Sequence, residues 1–145
     1  MRITIAATAA ERQECYGVRI AVFVHEQLIP LDEELDEHDE GEAVHYLARE
    51  GGRALGTARI VPAGERAKLG RIAVLLEARG RGVGDALVRR MIEDARAEGY
   101  REAVLDSQHD KVGFYERFGF RAHGPEFDDG SGIMHRRMTV ALEEE

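Results

Sequence analysis

Residues Lys68 to Glu98 pass from an apolar strand through a glycine-rich turn into a helix, and this unit restricts what the chain can fold into more than any other stretch. Leu69 and Ile72 to Leu76 make an apolar run short enough for a buried strand. Val83, Leu87, Val88, Met91, Ile92 and Ala95 then recur at helical spacing, with Arg89, Arg90, Glu93, Asp94 and Arg96 opposite them. Gly99 closes the helix.

The turn itself reads Arg79-Gly80-Arg81-Gly82-Val83-Gly84. Glycine at 80, 82 and 84 removes the β-carbons that would keep an object away from the backbone, so successive N–H groups can converge on it. The new helix adds its unpaired first-turn N–H groups and the positive end of its dipole, and Arg79 and Arg81 add full charge. A phosphate or pyrophosphate is the natural guest. The plainer reading is a tight strand-to-helix connection. No Gly-Lys-Ser/Thr follows, so the turn is not a P-loop. A dinucleotide fingerprint would need glycine where Asp85 stands.

A chain of 145 residues reads as one domain, 1–145, large enough to bury a core. Its formal charge of −8 argues against a nucleic-acid partner, which would require a basic face. The apolar runs, Ile20 to Val24 and Ile72 to Leu76 being the longest, are too short for a membrane span or a signal-peptide core, and a cytoplasmic location is expected. Cys15 is the only cysteine. Its place on the apolar side of the first helix suits packing rather than nucleophilic chemistry.

Taken in order, Arg2 to Ala7 reads as a first strand. Thr8-Ala9-Ala10-Glu11 has the form of a capping box, opening a helix that should run to about Gln27 before Pro30 stops it. Asp32 to Glu42 carries eight carboxylates and reads as a solvated loop or short helix, or as a negative rim over a site. Val44 to Glu50 and Arg53 to Val61 form a hairpin about Gly51-Gly52, and a strand from about Ala67 to Leu75 leads into the glycine turn. Beyond the long helix come a strand from Glu102 to Ser107, a short helix from His109 to Arg117, and strands from Phe120 to His123 and Met134 to Leu142. That order predicts an α/β fold, a mixed sheet with helices on both faces.

Arg79-x-x-Gly82-x-Gly84, following a strand and opening a helix, resembles the acyl-CoA pyrophosphate loop of the GNAT superfamily of N-acetyltransferases. Gln108 and Phe114-Tyr115-Glu116-Arg117-Phe118-Gly119-Phe120 resemble its fourth-helix signature. Val18 to Gln27 with Pro30, Asp39 and His45 are similar to the ElaA/YjcF-like subgroup. The resemblance spans most of the chain. It implies an acetyl-CoA-dependent N-acetyltransferase of GNAT-like fold, using acetyl-CoA as cosubstrate and no metal, acting by direct attack in a ternary complex. The acceptor is expected to be a small-molecule or peptide amine, cationic, and the protein a monomer or homodimer. A non-catalytic acyl-CoA-binding domain and an interaction module built on the acidic segment are the alternatives.

The resemblance also distributes roles. The pyrophosphate is expected on the backbone of Gly80, Arg81, Gly82, Val83, Gly84 and Asp85 beside Arg79, and pantetheine along Ile72, Ala73 and Val74, with the Val74 N–H facing the oxyanion. Gln108 is expected at the pantetheine arm, and Tyr115 beside the sulfur. A thiol titrates near 8.5 and a phenol near 10, so full proton donation to thiolate is uphill by roughly 2 kcal/mol, and hydrogen bonding the developing thiolate is the safer role. A lysine-like amine is only about 0.04% free base at pH 7, a cost near 4.6 kcal/mol, so a base or water relay matters. Glu26, His45 and His109 are the candidates, Glu26 being nearest by chain position. The strand ends Leu75-Leu76-Glu77 in place of the family's common Asp-Pro, and Gln108 stands where many relatives have asparagine.

Overall fold

A computed structural model describes residues 1–34, 36, 39 and 41–142, apart from the side chain of Glu33. The elements are β1 (Arg2–Ile5), α1 (Ala9–Arg19) continued by a π-helical segment (Ile20–Glu26), α2 (Leu31–Glu34), β2 (Val44–Glu50), β3 (Arg53–Ala63), β4 (Arg66–Val74), α3 (Val83–Ala97), β5 (Glu102–Gln108), α4 (Val112–Glu116), β6 (Arg121–Asp128) and β7 (Met134–Ala141). The strands form one seven-stranded sheet in the order β1-β2-β3-β4-β5-β7-β6, in which only β4 and β5 run parallel. The mixed α/β architecture expected from the sequence is the one observed.

Local chemistry sets most boundaries. At α1 the expected capping box is present: the Glu11 amide donates to Thr8 Oγ1 at 3.1 Å, and the Thr8 amide to Glu11 Oε1 at 3.1 Å. Cys15 is buried against Leu47, as its packing role required. One face of the sheet takes α3, whose Leu87, Val88, Met91 and Ala95 bury against Leu55, Leu69, Leu105 and Met138. The helix comes close because β3 carries Gly56, where a β-carbon would lie 2.9 Å from Val83 Cγ1 and 3.1 Å from the Ala73 oxygen. On the opposite face, Val18, Val22, Phe23 and Ile29 pack on Ala73.

Three differences from the sequence reading shape the molecule. The first helix widens at Ile20–Glu26, where the Gln27 amide donates five residues back to the Val22 carbonyl at 3.0 Å. β6 continues past His123 to Asp128, because the chain inserts two extra residues around Gly124-Pro125 and then resumes pairing with β7. The acidic run is not simply solvated. Glu34 and Asp39 are buried (2% and 5% exposed), with Arg19 between them.

The third strand pairing creates the cleft. Parallel bonding between β4 and β5 holds only from Arg66–Glu102 to Lys68–Val104, although both strands continue. Against β3, β4 carries an extra residue: Thr57 pairs with Ala73 and Arg59 with Gly70, so two residues, Arg71 and Ile72, lie opposite Ala58 alone. Arg71 adopts a φ of 50°, an uncommon conformation for a side-chain-bearing residue. A bulge bends its strand. Here β4 leaves β5, and the two strands splay into a V.

Candidate active site

The splayed strands bound a cleft of about 820 Å³. Ile72, Ala73 and Val74 line one side and Leu105, Asp106 and Gln108 the other. Because the Leu75 amide donates to the Leu55 carbonyl on β3 at 2.9 Å, alternation along the strand turns the Val74 N–H and C=O to the cleft edge. The Val74 carbonyl there accepts from Arg79 Nε at 3.0 Å.

The turn borders one mouth of the cleft. Gly80 and Gly82 have φ of 78° and 80°, which L-residues with side chains adopt at a cost, whereas Gly84 does not. The first intrahelical bond of α3 runs from the Ala86 amide to the Gly82 carbonyl, and no side chain caps the helix. The amides of Val83, Gly84 and Asp85 therefore keep their hydrogen-bonding capacity for another partner. Among the expected pyrophosphate residues, Arg79 and Gly84 line the cleft. Val83 commits its side chain to the core. Arg81 faces Glu50 at 3.2 Å, and Asp85 takes Arg117 at 2.8 Å, so their own side chains are engaged away from the cleft.

Tyr115 is 7% exposed, lines the cleft and makes no hydrogen bond among the described residues. Burial pushes its phenol above its ordinary pKa. The energetic slope against proton donation to a thiolate is thereby steeper than in water, and hydrogen bonding is the better description of what the hydroxyl can do. Gln108 lines the same space. Its Nε2 donates to Gln27 Oε1 at 2.8 Å, joining β5 to the end of the first helix.

The base candidates fare differently. Glu26 reaches the cleft, but both carboxylate oxygens accept from Arg79 at 2.6 Å, and that guanidinium holds its pKa below the ordinary value. A carboxylate so paired is a weaker base than the position alone suggested. His45 is buried behind the sheet edge, with Nε2 donating to the Asp39 carbonyl at 3.0 Å, and His109 is exposed; neither lines the cleft. Both leave the set of bases for that reason.

At the far end of the cleft the acidic segment meets arginines. Arg19 Nε donates to Glu34 at 2.7 Å and its Nη1 to Asp39 at 2.6 Å, while Arg59 bridges Asp36 at 2.8 Å and Asp39 at 2.9 Å. Arg71, at the bulge, approaches Glu34 at 3.5 Å and Asp36 at 3.4 Å. Three carboxylates of the expected rim thus neutralise three arginines drawn from α1, β3 and β4; Glu37 and Glu40, and the Glu33 side chain, lie outside the described residues. Residues that the sequence reading passed over also stand here: Arg71, Asp129 and His135 line the cleft. A bulge conformation and a strand pairing brought them in, and neither carries a motif. Among the described residues no group of three or more His, Cys, Asp or Glu side chains is placed to hold a metal, and no helix is long and apolar enough to cross a membrane.

Comparison with known proteins places this arrangement. Residues 7–142 match the model of the acetyltransferase (GNAT) domain. The chain is 33% identical over 139 residues to the Bacillus subtilis uncharacterized N-acetyltransferase YjcF, covering 95% of this chain and 98% of that protein. An acyl-CoA N-acyltransferase from Pseudomonas aeruginosa superposes with a TM-score of 0.85 at 26% identity, covering 96% of this chain and 99% of that one. Escherichia coli ElaA gives 0.84 at 24% identity, with 95% and 97% covered.

Proposed function

The chain belongs to the GNAT acetyltransferase superfamily, in its ElaA/YjcF-like subgroup, and from that premise we propose that it moves an acetyl group from acetyl-CoA to a primary amine by direct attack in a ternary complex. The observation that carries the reading is the splay of β4 from β5 between a helix N-terminus with no side-chain cap and a tyrosine hydroxyl that has no hydrogen-bond partner among the described residues. One end suits an anion, the middle offers strand-edge N–H groups to an extended amide-bearing arm, and the Tyr115 hydroxyl has its hydrogen-bonding capacity in reserve.

In this reading the backbone amides of α3's first turn and Arg79 hold the pyrophosphate, replacing Glu26 as the partner of the guanidinium. The arm lies along Ile72, Ala73 and Val74, and the Val74 N–H donates to the carbonyl oxygen as it gains charge. The amine nitrogen forms its bond to the acetyl carbon, the carbon–sulfur bond breaks, and Tyr115 donates a hydrogen bond to the departing thiolate, which solvent protonates. Removing one donor to such an oxyanion costs about 10²–10³ in turnover where it has been measured.

A cytoplasmic location and a cationic acceptor belong to the same proposal. The aspartates and glutamates lining the acceptor end favour cations near them, though Glu34 and Asp36 among them already face arginines. The test is release of free thiol from acetyl-CoA across a panel of amines, with mass spectrometry of the product. Acetylated amine supports transfer. Tight binding of acetyl-CoA with no product from any amine would leave a non-catalytic acyl-CoA-binding domain instead.

A further inference from the structure

Glu26, Glu34, Asp36 and Asp106 all line the cleft, and each is engaged by an arginine: Arg79, Arg19, Arg59 and Arg137 respectively. Asp110 is exposed. One imidazole remains, His135 on β7, the only histidine lining the cleft among the described residues and 7% exposed. It pairs in register with Gln108, so the two side chains stand on the same face of the sheet, the face of the first helix and α2.

The hydrogen bonds around this ring determine its tautomer. Nδ1 lies 2.7 Å from the Ile133 carbonyl, which can only accept, so Nδ1 carries the proton and Nε2 keeps a lone pair when the ring is neutral. Nε2 lies 3.4 Å from Asp129 Oδ2. The other oxygen of Asp129 is fixed by Ser131, whose hydroxyl donates at 2.5 Å and whose amide donates at 3.1 Å. Asp128 Oδ1 in turn accepts from the amides of Gly130 and Gly132, holding the loop. The result is a carboxylate 3.4 Å from the nitrogen that would gain a proton, held by partners of its own.

We propose that His135 is the general base for the amine, with Asp129 as its positioning residue; this rests on the acetyl-transfer reading above. An ammonium proton passes to Nε2, directly or through one water, giving imidazolium beside the Asp129 carboxylate. The freed amine then attacks the acetyl carbon, thiolate leaves, and the proton on nitrogen is lost as the amide forms. Overall an ammonium and the thioester give amide, free thiol and one proton released to solvent. Among the charges of this region, Asp129 from its own loop lies 3.4 Å from His135, Arg71 from the β4 bulge acts on Asp129, and Arg137, two residues along β7, is paired with Asp106 of β5.

The experiment measures kcat/KM against pH for wild type, H135Q, D129N and E26Q, with acetyl-CoA affinity taken by calorimetry for each. H135Q should lose about a hundredfold or more at pH 7, the lower end of what a positioned base supplies, with the deficit shrinking as pH approaches the amine's own pKa. Its acetyl-CoA affinity should be unchanged, and imidazole added to a folded H135A should restore part of the rate. D129N should move the acid limb of the profile to lower pH, because the imidazolium loses its carboxylate, whereas E26Q should leave that limb in place. D129N does not touch the ring's packing, so it keeps the test open should H135Q fail to fold. Normal wild-type turnover with an unmoved limb in D129N, or a limb that moves with E26Q instead, would overturn His135 while leaving acetyl transfer standing. Absence of product from every amine with wild type would overturn both.

Discussion

The turn from Arg79 to Gly82 and the charged wall formed by Glu34, Asp36 and Asp39 stand at different parts of one cleft, and they reach their shapes by different routes. The turn is made by neighbours: a 3₁₀ turn at Leu76–Ala78, two glycines at positive φ, and the first residues of α3. The wall is made by strangers: Arg19, Arg59 and Arg71 converge on it from α1, β3 and β4. Local backbone chemistry can be changed residue by residue. A buried ion network fails as a unit, because each charge removed strands another in a low-dielectric interior.

The comparison is broken most severely at Arg19, which is 1% exposed. Replacing it with methionine leaves Glu34 and Asp39 without their principal cation and should lower unfolding stability by about 3–5 kcal/mol, read as the shift in urea midpoint. A midpoint unchanged to within about 0.5 kcal/mol would show that the wall is no more cooperative than the turn.

Tyr115→Phe acts on chemistry rather than folding, since its hydroxyl has no partner to lose among the described residues. Turnover with a working amine should fall about ten- to a thousandfold with acetyl-CoA affinity unchanged. Equal losses in turnover and affinity would make the side chain a packing aromatic beside Phe114 and Phe120, which its ring touches edge-on.

At the turn, the structure separates two glycines that look alike in sequence. Gly84 has an ordinary φ, and an added β-carbon would sit 3.5 Å from Phe114 Cζ, ordinary contact. Gly84→Val should keep the fold and weaken acetyl-CoA binding at least tenfold by calorimetry, the mark of a side chain intruding where phosphate meets backbone. Gly82→Val should lose stability as well, by about 1–2 kcal/mol, because it forces a side chain into φ of 80°. Unchanged affinity in folded Gly84→Val would remove the phosphate from the turn.

The smallest effect is a pH dependence of the wall. Burial holds the folded His45 pKa below its ordinary 6.5, so the unfolded chain takes up protons first as pH falls. Stability should therefore decline from just below pH 6.5 down to the folded value, and the His45→Gln variant should flatten that decline when urea midpoints at pH 7 and 5.5 are compared. Asp39 has the depressed pKa of a carboxylate bonded to Arg19, so its contribution is present above its ordinary 3.8 and is lost only as pH falls further, through the folded value. A single decline confined to the carboxylate range would show that His45 plays no part.

Periodicity and capping chemistry were enough to read the order of elements, the hairpin at Gly51-Gly52, the capping box at Thr8 and the strand-turn-helix unit, because each is set by residues within one or two turns of each other. The same local logic led to Gly84, and the resemblance to the GNAT superfamily to Tyr115 and Gln108; all three line the cleft. It could not see that β4 would bulge at Arg71, since nothing in Gly70-Arg71-Ile72 announces a positive φ on an arginine. Nor could it see that Glu26 would be taken by Arg79, 53 residues away, or that the extended β6 would set Asp129 beside His135. Charge in sequence counts carboxylates and arginines but does not pair them. Their pairing depends on which strands lie side by side and where the pleat turns each side chain. For that reason the nature of the fold and the glycine turn proposed to hold phosphate were determined by the sequence read locally, whereas the charged wall and the base proposed beside it were decided only when the sheet brought distant residues together.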